Sequence, residues 1–331
     1  MNNVGMLLTA VVLFALPAQA EFRLGIIGCD TCHTVCFAKI ANVDKDPRVA
    51  GFRVTCAYKW GSPDIKSSLD VYDEYIAKIR EYGVEMKDSI ADLLASCDGV
   101  LLETCDGRPH YEQAVEVFKS GKPCFIDKPV AADLVDTLRI VAAAEKYGAK
   151  WFCSSSLRFA ENAEAARAGK FGKVRGVNLS TPLSLDPTQA RYYWYAIHGA
   201  EPLFTVMGTG CVEVRAISSE QEDVLIGTWK DGRIGTMRAI PWFKGAGYGG
   251  DIYLADDNKP SVRLGGYPGY EPLLVSIVEF FKTGKAPVET AETVEIYAFL
   301  TAAEKSRALG GAAVRIDAVI DEAALQAKSL R

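Results

Sequence analysis

The 331 residues carry 37 Lys and Arg against 42 Asp and Glu, a net charge of −5, with 49% apolar and 24% charged side chains. This is the balance of a soluble globular chain long enough for two domains. No basic block interleaved with aromatics marks a nucleic-acid surface, and beyond residue 20 no apolar run is long enough to span a bilayer.

In chain order, residues 1–20 hold no charged side chain, run apolar from Met6 to Leu16 and end in Ala18-Gln19-Ala20, a small-x-small cleavage pattern. They read as a signal peptide removed after Ala20, which makes the mature protein periplasmic or secreted. The leader has no Lys or Arg before its apolar run, and the alternative is an uncleaved apolar anchor.

From residue 22 to 156, apolar runs of strand length alternate with segments of helical period. Strands are predicted at 22–28, 52–59, 99–104, 123–127 and 150–155, and helices at 34–43, 69–82, 90–96, 110–120 and 131–147. Ser89 is placed to cap the third helix, and Gly121 and Gly148 to stop two others. Alternation of this kind is the signature of an α/β doubly wound parallel sheet, so 21–156 reads as a Rossmann domain. Residues 157–331 read as an α+β domain with a mostly antiparallel sheet. Its strands are predicted at 174–180, 222–229, 233–240 and 251–254, with an Asp231-Gly232 hairpin turn, and its helices at 202–207, 270–282 and 291–309.

Nine cysteines are present. Cys56, Cys97, Cys124 and Cys153 lie in or beside apolar runs, as small buried hydrophobes do. Cys29-Asp30-Thr31-Cys32-His33 fits the CxxCH haem-attachment pattern. A Cys29/Cys32 disulfide or redox pair is a second reading, and plain reduced thiols a third. The third is preferred, because the pentapeptide follows a strand directly and opens a helix.

The stretch GIIGCDTCH, 25–33, stands where a dinucleotide-binding turn keeps three glycines. Gly28 supplies the first; Asp30 and His33 replace the others. The second glycine lets the diphosphate approach the backbone. A carboxylate ~4 Å from a phosphate charge costs ~4 kcal/mol at an effective dielectric near 20. Either Asp30 caps the following helix and fills the anion site itself, or the cofactor is displaced. Gly28, Asp30, Thr31 and His33 are the cofactor-binding candidates of this turn. The second strand ends Ala57-Tyr58-Lys59-Trp60-Gly61-Ser62, without the acid that binds the NAD ribose, so Lys59 and Ser62 lean towards NADP over NAD. For Lys59 the alternative is a solvated strand-end lysine.

The segment Lys122-Pro123-Cys124-Phe125-Ile126-Asp127-Lys128-Pro129 resembles the glutamate-lysine-proline motif of the Gfo/Idh/MocA oxidoreductases, with Asp127 in place of Glu. GIIG at the start, His110 after the strand ending at Thr104, HGAEPLFTVMG at 198–208 and the closing stretch from Tyr270 to Gly311 resemble the same family, near a subgroup with an altered glycine turn. The resemblance implies hydride transfer between NAD(P) and a hydroxyl-bearing carbon of a carbohydrate or polyol, in a cleft between the domains. It makes Lys128 and His198 catalytic, with Thr104, His110, Asp127 and Lys128 completing the cofactor site. Beside the resemblance, Arg158, Tyr195 and Arg233 are candidates for gripping the substrate. The family's aspartate one helical turn before the histidine falls on Trp194, so Glu201, one turn later, is assigned to orient the ring.

For Arg158 and Arg233 the alternative is salt bridging within the fold. No metal site is assigned. The three histidines, His33, His110 and His198, permit an imidazole cluster with Asp30 or Glu103, but their spacing is scattered. Two other functions stay open: a hydrolase or lyase that keeps its nicotinamide bound without net redox change, and a sugar-binding protein without catalysis. The family likeness also implies a homo-oligomer.

Overall fold

Strands buried on both faces need unbroken apolar runs, and the N-terminal half supplies them. In the computed structural model, which describes residues 20–241, 247–256 and 258–330, these runs form a six-stranded parallel sheet. Its strands are β1 (Phe22–Ile27), β2 (Phe52–Tyr58), β3 (Glu85–Lys87), β4 (Gly99–Leu102), β5 (Cys124–Asp127) and β6 (Trp151–Ser154). The order β3-β2-β1-β4-β5-β6 puts the topological switch between β1 and β4, where a doubly wound sheet opens a crevice at the carboxyl ends of its strands. The expected leader, except for Ala20, lies outside the described residues. Among the described residues, no helix is long and apolar enough to cross a membrane.

The second sheet has seven strands, in the order β12-β11-β7-β10-β9-β8-β13. They are β7 (Val174–Leu183), β8 (Cys211–Ser218), β9 (Asp223–Trp229), β10 (Ile234–Pro241), β11 (Gly249–Leu254), β12 (Ser261–Leu264) and β13 (Val314–Arg315). All pairings are antiparallel except β7 with β10 at the centre. Asp231-Gly232 makes the β9–β10 turn, with Gly232 at φ +86°.

Helix Ile197–Met207 is buried along its whole length against the inner face of this sheet. Gly199 permits the approach, since a Cβ there would lie 2.4 Å from Met237 Sδ and 2.7 Å from Thr181 Cγ2. The helix starts five residues before the expected 202–207, because Pro202 stands inside it rather than at its first turn.

One further difference shapes the site. Helix Glu271–Thr283, sequentially part of the second domain, buries Leu273, Leu274, Ile277, Val278 and Phe280 against the Rossmann sheet. The chain therefore returns to the first domain after residue 270 and lays Tyr270 over the turn that follows β1.

Candidate active site

Gly28 ends β1 at φ +96°, and a Cβ there would sit 2.4 Å from Thr104 N, so only glycine fits between the ends of β1 and β4. The next turn bends Asp30 inward. Its carboxylate accepts from Ser62 N (3.0 Å), Ser62 Oγ (3.1 Å), Ser68 Oγ (2.7 Å), Cys105 N (3.0 Å) and Cys105 Sγ (3.1 Å). Asp30 thus ties the loops after β2 and β4 together over the crevice. It does not cap the following helix; Thr31 Oγ1 does, accepting from His33 N. The capping role expected of Asp30 therefore passes to its neighbour.

Helix Cys32–Ala38 turns His33 into the protein, where Nδ1 lies 2.7 Å from Asp127 Oδ2 and 3.9 Å from Glu103 Oε2. Burial raises the affinity of Asp127 for a proton, but His33 and Lys128 outweigh it and hold the carboxyl below its usual range. Burial and the neighbouring Asp127 push Glu103 well above it. The Tyr270 ring covers His33 at 4.5 Å between centroids.

Lys128 follows β5 directly and opens a cis Lys128-Pro129 peptide. It is near enough to Glu103, Asp127 and His198 to shift all three. His198, from the second domain, has Nδ1 at 2.7 Å from Ser155 Oγ, which also accepts from Leu157 N at 3.2 Å. Burial, then Lys128 and His33, lower the His198 imidazole well below its ordinary range, so it is neutral at physiological pH. Beside it opens a cavity of about 190 Å³ lined by Ser156, Leu157, Tyr195, His198, Tyr248, Tyr267 and Tyr270. This lies below the roughly 300–1,000 Å³ of a drug-sized site, and suits one monosaccharide-sized molecule.

Several expected roles fall elsewhere. Glu201 does not orient His198: its Oε2 accepts from Arg158 Nε (2.8 Å) and Ser154 Oγ (3.4 Å), and Ser155 is the ring's partner. Arg158 is 3% exposed and bridges Glu201 and Glu292, so it fastens the fold and does not grip substrate. Arg233 pairs with Asp231 and donates to Met207 O at the hairpin, again a structural contact.

His110 places Nε2 2.8 Å from Thr104 O and Nδ1 3.2 Å from Val130 O, and Thr104 Oγ1 donates to Gln113 Oε1. Neither side chain is free for a cofactor. Lys59 is exposed just past β2, while Ser62 is spent on Asp30. Cys29 is buried, its thiol pushed up to about 12 by burial and Asp30, whereas Cys32 is exposed with Sγ 3.1 Å from Tyr270 Oη. Cys29 lies inside the fold and Cys32 at its surface, so the stretch does not form the open loop that haem attachment requires.

Of the residues predicted for chemistry, Lys128, His198 and Tyr195 converge on one cleft. Ser155, Tyr248, Tyr267 and Tyr270 join them without having been singled out. The Ser154-Ser155-Ser156 run was the available signal for the first. The three histidines do not cluster: His33 meets Glu103 and Asp127, and the other two go elsewhere.

A parallel doubly wound sheet with a lysine at the end of its fifth strand stands beside a histidine from a second domain built on a large sheet. Residues 22–154 match the Gfo/Idh/MocA family model, described as an oxidoreductase family with an NAD-binding Rossmann fold. An inositol 2-dehydrogenase of Cereibacter sphaeroides is 36% identical over 67 residues, a stretch covering 20% of this chain and 20% of that protein.

Two solved structures share the fold. Scyllo-inositol dehydrogenase of Lactobacillus casei, with bound NAD(H) and scyllo-inositol, has a TM-score of 0.67 at 14% identity, covering 90% of this chain and 99% of that one. An oxidoreductase of Agrobacterium radiobacter in complex with NAD+, L-tartaric acid and magnesium has a TM-score of 0.68 at 14% identity, covering 91% and 100%.

The crevice has two unlike ends. One holds Lys128 and the tyrosine-lined cavity beside His198. At the turn after β1, the Asp30 carboxylate and its five donors stand where a diphosphate is ordinarily seated.

Proposed function

We propose that the protein is an NAD(P)-dependent oxidoreductase acting on a hydroxyl of a small carbohydrate or polyol held in the tyrosine-lined cleft. The observation that carries this reading is the meeting of Lys128 and a neutral, serine-anchored His198 beside a cavity of about 190 Å³. The inositol dehydrogenases among the similar proteins support a polyol as the substrate class. The nicotinamide, when bound, supplies the hydride acceptor or donor.

The chain's own groups do the rest. Lys128 Nζ donates to the reacting hydroxyl oxygen and stabilises the negative charge that grows on it. With Nδ1–H donated to Ser155 Oγ, Nε2 of His198 accepts the hydroxyl proton. Tyr195, Tyr248 and Tyr267 supply apolar faces and phenolic hydroxyls for the remaining part of a sugar.

The test is turnover of a panel of polyols and monosaccharides with NAD+ and NADP+, followed through the reduced nicotinamide. Lys128→Ala and His198→Ala should each cut kcat/KM by roughly 10²–10⁴-fold, the usual worth of a positioned proton-transfer group. Wild-type rates retained in both variants would sink the assignment.

The Asp30 network favours a second reading, in which the chain binds a sugar in the same cleft without dinucleotide chemistry. Sugar binding that survives Lys128→Ala, with no turnover by the wild type, is its signature. A homo-oligomer is part of the main proposal. The outer face of the second sheet presents Ile217, Ile234 and Tyr253, all exposed, and the half-exposed Val224 and Ile226 between them.

A further inference from the structure

The buried trio of His33, Glu103 and Asp127 has no part in the chemistry above. His33 comes from the first turn of the helix after β1, Glu103 follows β4 and Asp127 closes β5, so three strand ends deliver one side chain each to a single point. One ligating atom from each lies within 4.8 Å of the others. His33 is 3% exposed, and Glu103 and Asp127 are fully buried. Both oxygens of each carboxylate and Nδ1 of His33 lack an aligned hydrogen-bond partner. The 2.7 Å contact between Nδ1 and Asp127 Oδ2 is therefore close without the ring N–H pointing along it.

Orphaned buried polar atoms are costly, and two carboxyl groups in one dry pocket repel one another when ionised. A cation among the three removes both penalties. Around an ion with bonds of roughly 2.0–2.2 Å neighbouring donors stand roughly 3–3.5 Å apart, between the 2.7 Å from Nδ1 to Asp127 Oδ2 and the 3.9 Å from Nδ1 to Glu103 Oε2, so small side-chain shifts suffice to seat one.

We propose that His33, Glu103 and Asp127 form a site for one first-row divalent cation of the Zn²⁺ or Mn²⁺ kind, with an open coordination position towards the Lys128–His198 cleft. The mixed nitrogen and oxygen donors select against Mg²⁺ and Ca²⁺, which take oxygen ligands, and against soft cuprous ion. Three protein ligands leave room for a water or a substrate hydroxyl, as at catalytic rather than structural sites. The position is on the cavity's side of the crevice, since Tyr270, which packs on His33, also lines the cavity beside His198. The Tyr270 ring packed on His33 holds the imidazole in place.

The experiment is titration of the metal-stripped full chain with Co²⁺, followed by displacement with Zn²⁺. One Co²⁺ per chain is expected, with visible d–d absorption and no intense near-ultraviolet thiolate band. Glu103→Gln, Asp127→Asn and His33→Asn should each weaken uptake by at least about tenfold, with thermal melts confirming the fold. If a variant fails to fold, stoichiometry and spectrum of the wild type still decide. No uptake by the wild type, a thiolate band, or uptake unchanged in all three variants overturns the proposal. The readout needs neither dinucleotide nor sugar, so its failure leaves the redox reading standing, and the converse holds too.

Discussion

Asp30 shows how one side chain changes what a turn can do. A glycine at that place leaves backbone donors facing a diphosphate; the carboxylate gathers five donors of its own and is 4% exposed. Asp30→Gly should therefore destabilise the fold by about 2–4 kcal/mol, from buried donors left without an acceptor. It should also tighten dinucleotide binding by up to about three decades, the repulsion removed. Paired thermal melts and titration calorimetry check both signs.

A second prediction at this scale concerns acid. His198 and His110 are buried with lowered affinity for protons, burial being the main cause in each. Below about pH 6.5 the unfolded chain binds protons at these sites that the native state does not, so their contribution to stability is present above that pH and lost as pH falls. Melting temperature should decline from pH 7 to 5, and less steeply in His198→Gln; an equal slope in that variant would remove His198 from the explanation. Lys128 and His198 were legible because short local motifs carry them. Ser155, 43 residues from the histidine that it anchors, was not, since nothing in a single sequence reports that contact.

Among the elements, helix Ile197–Met207 depends on a buried ion cluster for its seat. Arg158 joins Glu201 on that helix to Glu292 on helix Thr290–Ala308, and Arg167 closes the group from outside. Arg158→Met leaves Glu201 without its cation, and breaking such a pair costs roughly 3–5 kcal/mol. The denaturant midpoint should fall accordingly, and an unchanged midpoint would contradict the role given to the cluster. The sequence suggested Arg158 as a substrate ligand because a lone arginine after a strand looks alike in either role until its partners, 43 and 134 residues away, are known.

Five of the six parallel strands were legible, as double burial demands long apolar runs. β3, β8, β12 and β13 were not: three are two to four residues long and largely on the surface, and β8 buries only Cys211, Val214 and Ala216 of its eight residues. Helix Ile316–Ser329 buries Ile316, Val319, Ala323 and Ala327 at helical spacing, a faint signal when half the stripe is alanine.

At the level of the whole molecule, every strand of the first sheet precedes residue 156 and every strand of the second follows it, but the packing crosses that point. Helix Glu271–Thr283 covers the Rossmann sheet, so the site includes Tyr270 from the far end of the sequence. The outer sheet face is the proposed self-association surface, and sedimentation should show a dimer or larger assembly that Ile226→Arg shifts towards monomer. A monomer throughout the micromolar range would set that aside. The central claim is that a nicotinamide dinucleotide reaches Lys128 and His198 despite Asp30. The most direct measurement is equilibrium binding of NAD(H) and NADP(H) to the purified protein: saturable one-to-one binding is predicted, tightened in Asp30→Gly. Absence of binding of either cofactor to both forms, each shown to be folded, would contradict it.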